Sequence, residues 1–331
     1  MRRKFFTYLG IFLLVGIFML LILNFKYPFI NSVVGKWSVG YSFNDEVLEK
    51  PVLDPDNIIS YPEVDSILDE PGHYIADPFF IMEKDTFYLF VELKGKKDAD
   101  IALFTSPDGE DYQYKGVVLD EPFHLSFPQV FKHKDEFYMF PETNQCDNVI
   151  LYKSADFPYK WQKIDTLIKN RKLKDPATLL SEDLNLIVAV DEHMQQYMFT
   201  ADSLSGAWNK AEDYTGRLGN ETRPGGRFFE FNGNHYLPIQ DRRYGYGSAI
   251  SIFRLANKDN HLELIREERE YLGPKENIKW FNRGMHQIDI QKVNENYYMV
   301  YDGDYNKNGE TYFQYKRTLK FIYSDFYNLF H

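Results

Sequence analysis

The stretch that decides the fold begins Ala76-Asp77-Pro78-Phe79-Phe80, and a second apolar run within it ends about 15 residues later at Glu92. The arrangement recurs in four further copies: Phe127-Pro128-Gln129-Val130-Phe131 to Glu142, Lys174-Asp175-Pro176-Ala177-Thr178 to Asp191, Thr222-Arg223-Pro224-Gly225-Gly226 to Asp241, and Gly284-Met285-His286-Gln287-Ile288 to Asp302. The copies are about 50 residues apart, with one longer step before the last. A repeat of this length made of strands indicates a β-propeller.

Each copy has the pattern of an antiparallel hairpin. In the first, the strand-like runs 79–82 and 87–91 flank a polar loop at 83–86. A third strand-like run follows each hairpin, at 101–104, 149–153, 196–200, 249–254 and 312–316, and in three copies a fourth run follows. Four strands per copy fill about 250 residues, and no helical pattern of comparable length competes with them beyond the N-terminus. The sequence therefore predicts an all-β, five-bladed propeller.

The N-terminus has a different character. Residues 5–25 are apolar except for three polar side chains. At about 1.5 Å per residue this segment matches a hydrocarbon core about 30 Å thick, so we predict an uncleaved transmembrane signal anchor at 5–25. Residues 1–4 carry three basic side chains, which places this tail in the cytoplasm and the propeller on the non-cytoplasmic side. A cleaved signal peptide is the alternative, but no small-x-small cleavage site follows the apolar run.

The remaining boundaries follow from the repeat. Residues 26–72 are rich in Pro, Asp and Glu and are predicted to be a linker, except for a short strand near 37–41. Propellers commonly close by pairing a strand from one terminus with the blade formed by the other, so we expect 37–41 to complete the last blade and remove an open edge. The propeller is predicted to cover 73–325, followed by a C-terminal tail at 326–331.

Composition excludes some classes of partner and bond. The net charge is −11, without a basic cluster beyond the first four residues, so no nucleic acid is expected as a partner. Cys146 is the only cysteine, which excludes an intrachain disulfide. Stability must therefore come from buried side chains, and the 17% aromatic content suits strand faces packed between blades. The sequon Asn220-Glu221-Thr222 matters only in a compartment that glycosylates proteins.

Blade geometry predicts where polar side chains converge. The first strand of a blade lines the axis and the second runs antiparallel to it, so the start of the first and the end of the second lie at the same face. We expect an inner ring of Asp77, Gln129, Asp175, Arg223 and His286, and a second ring of Glu92, Glu142, Asp191, Asp241 and Asp302. An acidic funnel with a few cations suits polyhydroxylated ligands, metal ions or acid and base catalysis.

Two families are similar to parts of this pattern. Arg223-Pro224-Gly225-Gly226-Arg227-Phe228-Phe229, with Gln240-Asp241 and Gly284-Met285-His286, resembles the N-terminal propeller domain of glucosamine inositolphosphorylceramide transferases and its stand-alone bacterial relatives, over about residues 37–323. More distantly, Asp77-Pro78 and Asp175-Pro176 resemble glycoside hydrolase family 43 and related five-bladed furanosidase propellers. The second resemblance implies that Asp77 is a general base, that Asp175 orients and tunes the acid, and that His286 reaches a central divalent cation such as calcium through water. We assign no direct metal ligand and no other cofactor.

Blade four departs from the hydrolases. Where they place a general acid Glu at the axis, this chain has Arg223, and the nearest acid, Glu221, lies outside the expected slot. Arg cannot donate a proton at neutral pH but binds carboxylate or phosphate well. In the plant transferases that the chain resembles, a separate C-terminal glycosyltransferase domain carries the sugar-transfer chemistry.

Two functions are consistent with these residues. The first is a membrane-anchored, glycosidase-like or glycosyl-transferring enzyme of surface polysaccharide or glycolipid metabolism, with Asp77 and Asp175 as catalytic residues. Its substrate-binding residues are then Glu92, Gln129, Glu142, Asp191, Arg223, Arg227, Gln240, Asp241, His286 and Asp302. The alternative is a non-catalytic glycan-binding propeller that serves polysaccharide or glycolipid assembly beside a partner glycosyltransferase. The missing blade-four Glu favours binding, whereas the two Asp-Pro acids favour catalysis.

Overall fold

Five four-stranded sheets form the blades of a propeller in the computed structural model, which describes residues 2–96, 98–181, 184–258 and 261–330. Neighbouring strands within each blade are antiparallel. Four blades are built from four strands that follow one another along the chain, and the fifth combines strands from both ends of the chain. The predicted all-β, five-bladed propeller is confirmed.

The chain begins with a helix that stands outside the propeller. The elements before the first blade are α1 (Arg2–Lys26), β1 (Ile30–Ser32), β2 (Lys36–Asn44), β3 (Ile58–Ile59) and α2 (Tyr61–Leu68). Within α1, the stretch Lys4–Lys26 is long and apolar enough to cross a membrane, and its most apolar part is not buried against the rest of the protein. By length and composition, α1 fits a membrane span or a signal sequence.

The blades follow in chain order. Blade one contains β4 (Tyr74–Glu83), β5 (Thr86–Lys94), β6 (Ala99–Ser106) and β7 (Gln113–Leu119), and blade two contains β8 (Ser126–His133), β9 (Glu136–Glu142), β10 (Val149–Asp156) and β11 (Lys160–Ile168). Blade three contains β12 (Lys174–Leu180), β13 (Asn185–Val190), β14 (Gln196–Ala201) and β15 (Asn209–Lys210), and blade four contains β16 (Phe229–Phe231), β17 (Asn234–Asp241), β18 (Ala249–Lys258) and β19 (His261–Leu272). The last elements are β20 (Ile288–Val293), β21 (Asn296–Tyr305), β22 (Thr311–Phe313) and α3 (Tyr315–Tyr327).

Blade five is closed by the N-terminal segment. Its strand order is β20-β21-β2-β3, and β2 pairs with β21 from Lys36 opposite Tyr305 to Asn44 opposite Tyr297. The segment near 37–41 therefore lies in the third strand of the last blade. Because β2 occupies the free edge of β21, the ring of blades is joined by backbone hydrogen bonds between the two ends of the chain.

The predicted third strand of blade five at 312–316 is wrong. Thr311–Phe313 instead pairs with Ile30–Ser32 in a separate two-stranded sheet, and a helix starts at Tyr315. Two facts explain the change. The edge of β21 is already taken by β2, and residues 318, 321 and 324, which recur every three positions, face the protein as one side of a helix.

Aromatic side chains fill the interfaces between blades. Phe79 of blade one meets Phe127 of blade two edge to face, with ring centroids 4.8 Å apart, and both are fully buried. Phe80 of blade one also meets Tyr298 of blade five edge to face, and Phe87 packs on the same ring at a tilt. Burial of one large apolar side chain contributes about 1.5–3 kcal/mol, so these rings hold together a fold without a disulfide.

Candidate functional site

A cavity of about 410 Å³ opens at the mouth of the propeller, where first strands begin and second strands end. Its lining comes from several blades and from the linker that precedes β2: Val34, Gly35, Trp37, Tyr74, Ala76, Asp77, Glu92, Lys94, His124, Ser126, Glu142, Arg223, Tyr246 and His286. Five predicted site residues, Asp77, Glu92, Glu142, Arg223 and His286, are thus brought together at one opening. Asp175 contacts Arg223 and Asp302 contacts His286 from directly behind the wall, and Gln240 in turn contacts Asp175.

Three first strands carry the same backbone irregularity at the axis. Asp77, Phe127 and Asp175 have φ values of 50°, 49° and 47°, and each lies where the pairing with the second strand shifts register. Positive φ is uncommon for residues other than glycine, and each of these residues also precedes a proline, which disfavours compact conformations. Since Phe127 holds the position equivalent to Asp77 and Asp175, Gln129 is not the blade-two member of the inner ring.

Carboxylates from neighbouring blades fix these irregular residues in place. The backbone N–H of Asp77 donates to Asp302 at 3.0 Å, that of Phe127 donates to Asp77 at 3.1 Å, and that of Asp175 donates to Glu142 at 3.1 Å. Each bond crosses from one blade to the next. The acids therefore satisfy buried donors at strained positions, and the strain is maintained because the surrounding blades determine it.

Asp77, His286 and Asp302 form a buried cluster in which the imidazole lies between the two carboxylates. The imidazole Nδ1 of His286 lies 2.9 Å from Asp302 Oδ1, and its Nε2 lies 3.4 Å from Asp77 Oδ1. Burial raises the pKa of Asp77 to about 7; the charge of His286 opposes this, and those of Asp175 and Asp302 add to it. Burial alone lowers the pKa of His286, but the charges of Asp302 and Asp77 outweigh it and raise that pKa above its usual range. Near neutral pH, Asp77 is therefore poised to exchange a proton.

Arg223 lines the cavity and forms a bidentate ion pair with Asp175 behind it. Its Nε and Nη2 bond the two carboxylate oxygens of Asp175, the second at 2.9 Å, and Gln240 Nε2 donates to the same carboxylate at 3.0 Å. Burial raises the pKa of Asp175, but Arg223 outweighs burial and holds it below the usual range. Asp175 is consequently a fixed negative charge behind the cavity wall.

Glu142 lies against this clamped pair. Its Oε2 is 3.5 Å from Arg223 Nη2 and accepts the backbone N–H of Asp175. Burial, and then the charge of Asp175, raise the pKa of Glu142 well above its usual range, and Arg223 opposes them only in part. The raised pKa favours the protonated form of Glu142, which lies at the edge of the cavity beside Arg223, the residue that occupies the place of the hydrolases' general acid. Glu221 is not an alternative, since it accepts from Ser251 and pairs with Arg266.

The second side of the cavity contains residues that the repeat did not single out. His124 Nε2 lies 3.7 Å from Glu92 Oε1, and burial with the nearby charge of Lys94 lowers the pKa of His124. Burial, and then the charges of Asp77 and Glu142, raise the pKa of Glu92 well above its usual range. Trp37 stacks on the His286 ring with centroids 4.0 Å apart. His124 and Trp37 lie just before or outside the repeated runs. Only their proximity in sequence to the starts of strands could have indicated that they line the cavity.

Four predicted binding residues are used by the fold away from the cavity. Gln129 exchanges two hydrogen bonds with the backbone of Thr178 in blade three. Arg227 forms a buried ion pair with Asp289 and donates to Phe80 O. Asp191 accepts backbone N–H groups of its own loop, and Asp241 pairs with Arg243. None of these four residues lines the cavity that contains Asp77.

Asp77, His286 and Asp302 are also the described residues closest to a metal-binding arrangement, with potential ligand atoms within 4.8 Å of one another. Calcium takes six to eight oxygen ligands. Asp302 already accepts from four N–H groups, those of Asp77, His286, Gln287 and the His286 ring. The triad therefore does not fit a directly bound divalent cation, because its oxygens are committed to holding the strands.

Comparison with known proteins identifies a family for this chain. The family described as glucosamine inositolphosphorylceramide transferase 1, N-terminal, matches residues 35–304. The chain is 27% identical over 331 residues to glucosamine inositolphosphorylceramide transferase 1 of Oryza sativa subsp. japonica, and 26% identical over 307 residues to the protein of that name in Arabidopsis thaliana. These alignments cover 89% and 84% of this chain but 44% and 40% of the relatives. The chain thus spans less than half the length of the curated relatives it matches.

Solved structures share the fold at low sequence identity. Bacteroides ovatus Xyloglucan PUL GH43B aligns with a TM-score of 0.52 at 13% identity, over 73% of this chain and 57% of that chain. An α-L-arabinofuranosidase from Clostridium thermocellum aligns with a TM-score of 0.50 at 13% identity, over 68% of this chain and 81% of that chain. The propeller and the family match, which covers most of the residues, lead to one conclusion: the chain belongs to the glucosamine inositolphosphorylceramide transferase 1 N-terminal family.

Proposed function

We propose that this protein is a membrane-anchored, glycan-active enzyme of glycolipid or surface polysaccharide metabolism, which works by general acid and base catalysis at the propeller mouth. One observation carries the proposal. Two buried carboxyl groups with raised pKa values, Asp77 and Glu142, line the same cavity, and a fixed negative charge, Asp175, lies behind it. Such a pair, tuned by its surroundings, is typical of a site that moves protons at neutral pH.

The proposed step uses each carboxyl group once. Asp77, in its ionised form, accepts the proton of an attacking hydroxyl group, whose oxygen forms a bond to the anomeric carbon. The bond from that carbon to the leaving oxygen breaks, and Glu142 gives its proton to that oxygen. Water as the attacking group gives hydrolysis, and a sugar or lipid hydroxyl gives transfer. Proton exchange with solvent then restores both residues.

Asp175 has a positioning role in this scheme. It receives two bonds from Arg223 and one from Gln240, so its oxygens are occupied. Its charge nevertheless raises the pKa of Glu142, which favours the protonated form that the proposed acid needs. Asp175 thus tunes the acid, as the hydrolase resemblance implies, although the acid now comes from blade two.

The substrate class follows from the relatives and from the anchor. The plant relatives are named glucosamine inositolphosphorylceramide transferase 1, a name that contains an amino sugar and a ceramide lipid with an inositol phosphate headgroup. We propose that α1 crosses the membrane with its basic N-terminal residues in the cytoplasm, so that the cavity meets a glycan or glycolipid on the other side.

A specific observation also favours the alternative of a glycan-binding accessory module that serves a partner glycosyltransferase. Asp77 is only 4% exposed and Asp175 only 1%, and both accept hydrogen bonds that hold the blades together. If these bonds persist when a glycan is bound, the site recognises hydroxyl groups without reacting.

A panel of lipid-linked and free glycans, offered to the full chain in nanodiscs, separates the two functions. Product is detected by mass spectrometry, and binding by the change in tryptophan fluorescence expected when a ligand reaches Trp37, one of four tryptophans, which packs on His286 in the cavity. Asp77→Asn and Glu142→Gln retain acceptors for the backbone bonds, and each should lose about 10²–10⁴-fold in turnover. Asp202→Asn and Glu230→Gln change exposed acids and serve as controls. Binding without turnover in the wild type would establish the accessory module instead.

A further inference from the structure

One face of α3 exposes large apolar side chains instead of polar ones. Thr318, Phe321 and Ser324 are buried against the propeller. Tyr315, Leu319, Tyr323 and Phe326, spaced by four, four and three residues, are 48%, 53%, 63% and 62% exposed. Phe313 and Phe330, which flank the helix, are 68% and 70% exposed. We call these six exposed residues the C-terminal aromatic face; a contiguous apolar surface of this kind marks an interaction site.

The helix is attached at the point where α1 ends. Lys26 pairs with Asp325 at 2.7 Å, and the Tyr27 hydroxyl lies 2.9 Å from both Asp325 and Asn220. Thr318 Oγ1 donates to Tyr27 O at 3.0 Å. The same contacts bury Asn220 of the sequon. The aromatic face is therefore continuous with the segment that fits a membrane span, and this continuity identifies the bilayer as what covers it.

Basic side chains flank the aromatic face of the helix. Lys316 and Lys320 are exposed at the side of the aromatic face, and Lys26 is exposed at the end of α1. Aromatic rings are enriched at the depth of lipid headgroups, and long basic side chains reach from there to phosphate groups. An amphipathic helix with these two features lies flat in the interface.

The helix also sits on the mouth side of the propeller. The backbone N–H of Leu218 donates to Asn328 at 3.0 Å, and Arg317 Nη1 donates to the carbonyl oxygens of Arg242 and Arg243. These loops precede the first strand of blade four and follow its second strand, so they belong to the face where the cavity opens. Tyr246, a few residues further on, lines the cavity itself.

We propose that the C-terminal aromatic face lies in the lipid–water interface of the bilayer that α1 crosses, and that it holds the cavity mouth at the membrane surface. The occupant is a lipid bilayer with anionic headgroups. One consequence rests on the proposed function: the glycan that enters the cavity is the headgroup of a lipid in the adjacent leaflet, which needs no extraction from the membrane to reach Asp77.

Depth-resolved fluorescence quenching of the full chain tests this directly. In a Cys146→Ser background, Phe326→Cys or Leu319→Cys is labelled with an environment-sensitive dye in nanodiscs that contain anionic lipid. The matched control is Tyr159→Cys; this exposed aromatic residue lies between the third and fourth strands of blade two, at the opposite end from the mouth. Quenchers are a lipid with a spin label high on its acyl chain and aqueous iodide.

The expected result is loss of fluorescence at both α3 positions with the spin-labelled lipid and protection from iodide, with the reverse at the control. A label at Val34→Cys, on the cavity rim, should be quenched by a headgroup spin label more strongly than the control. Iodide access at both α3 positions would overturn the docking, and so would protection without lipid quenching, because a protein would then cover the face. Equal quenching at the rim and the control would overturn the orientation. These outcomes do not depend on turnover, so docking and the proposed function can fail separately.

Discussion

Replacement of Arg223 by Met should destabilise the propeller chiefly by leaving Asp175 charged and unpaired. The Asp175 side chain is 1% exposed and that of Arg223 12%, and two hydrogen bonds join them. Breaking a buried ion pair by removal of one partner costs about 3–5 kcal/mol. At about 2 °C per kcal/mol for a domain of this size, the melting temperature should fall by roughly 6–10 °C. Thermal unfolding of the full chain in detergent, followed by tryptophan fluorescence, gives this shift.

The pH dependence provides the stricter test. In the wild type Arg223 lowers the folded-state pKa of Asp175, so the pair contributes stability above the unfolded-state pKa of about 3.9, and this is lost as pH falls through the folded value. In Arg223→Met the largest influence left is burial, which raises the folded-state pKa against the smaller lowering by Glu142 and His286, so the carboxylate becomes destabilising as pH rises above about 4. The difference in melting temperature between the wild type and Arg223→Met should therefore be widest near neutral pH and should become smaller in acid.

A surface pair supplies the control. Arg254→Met removes the partner of Glu267, where the side chains are 31% and 41% exposed, and the cost should stay below about 1 kcal/mol. The double variant Arg223→Met with Asp175→Asn should recover part of the loss, because no uncompensated charge remains. A loss at Arg223→Met that matches the Arg254→Met control, or one that does not change with pH, would refute the reasoning.

Two further predictions follow from the site and from the blade packing. Turnover should rise with pH as Asp77 ionises around its pKa of about 7 and fall again where Glu142 ionises, so a rate that only declines between about pH 5 and 7 would contradict these roles. Gly226→Ala should cost at least about 2 kcal/mol, because a Cβ there would lie 1.9 Å from the carbonyl oxygen of Ile288 in blade five, whereas Gly273→Ala, with its nearest neighbour at 3.7 Å, should melt like the wild type.

The architecture was readable from the sequence because it depends on periodicity. Runs that recur about every 50 residues can bury their faces only against one another, which is enough to predict five blades. The prediction of a third strand of blade five at 312–316 was wrong because this aromatic run suits a strand as well as a helix. Competition for the edge of β21 decided the outcome, and that competition involves residues about 270 positions apart.

The site was predicted less completely, because the sequence does not show in which direction each side chain points. The meeting of Asp77, His286 and Asp302 follows from antiparallel strands that begin and end at one face. Arg227, four residues after Arg223, points instead to Asp289 between the blades. Sequence spacing says which strand end a residue occupies, but the bulge at Phe127 and its counterparts shifts the direction of every side chain that follows.

The central claim is that Asp77 moves a proton for a glycan held in the mouth cavity. It is tested most directly by measurement of kcat and Kd for the same lipid-linked glycan in the wild type and in Asp77→Asn, with Asp202→Asn as control. The account predicts that Asp77→Asn loses about 10²–10⁴-fold in kcat while its Kd stays close to that of the wild type. An unchanged kcat in Asp77→Asn would contradict it.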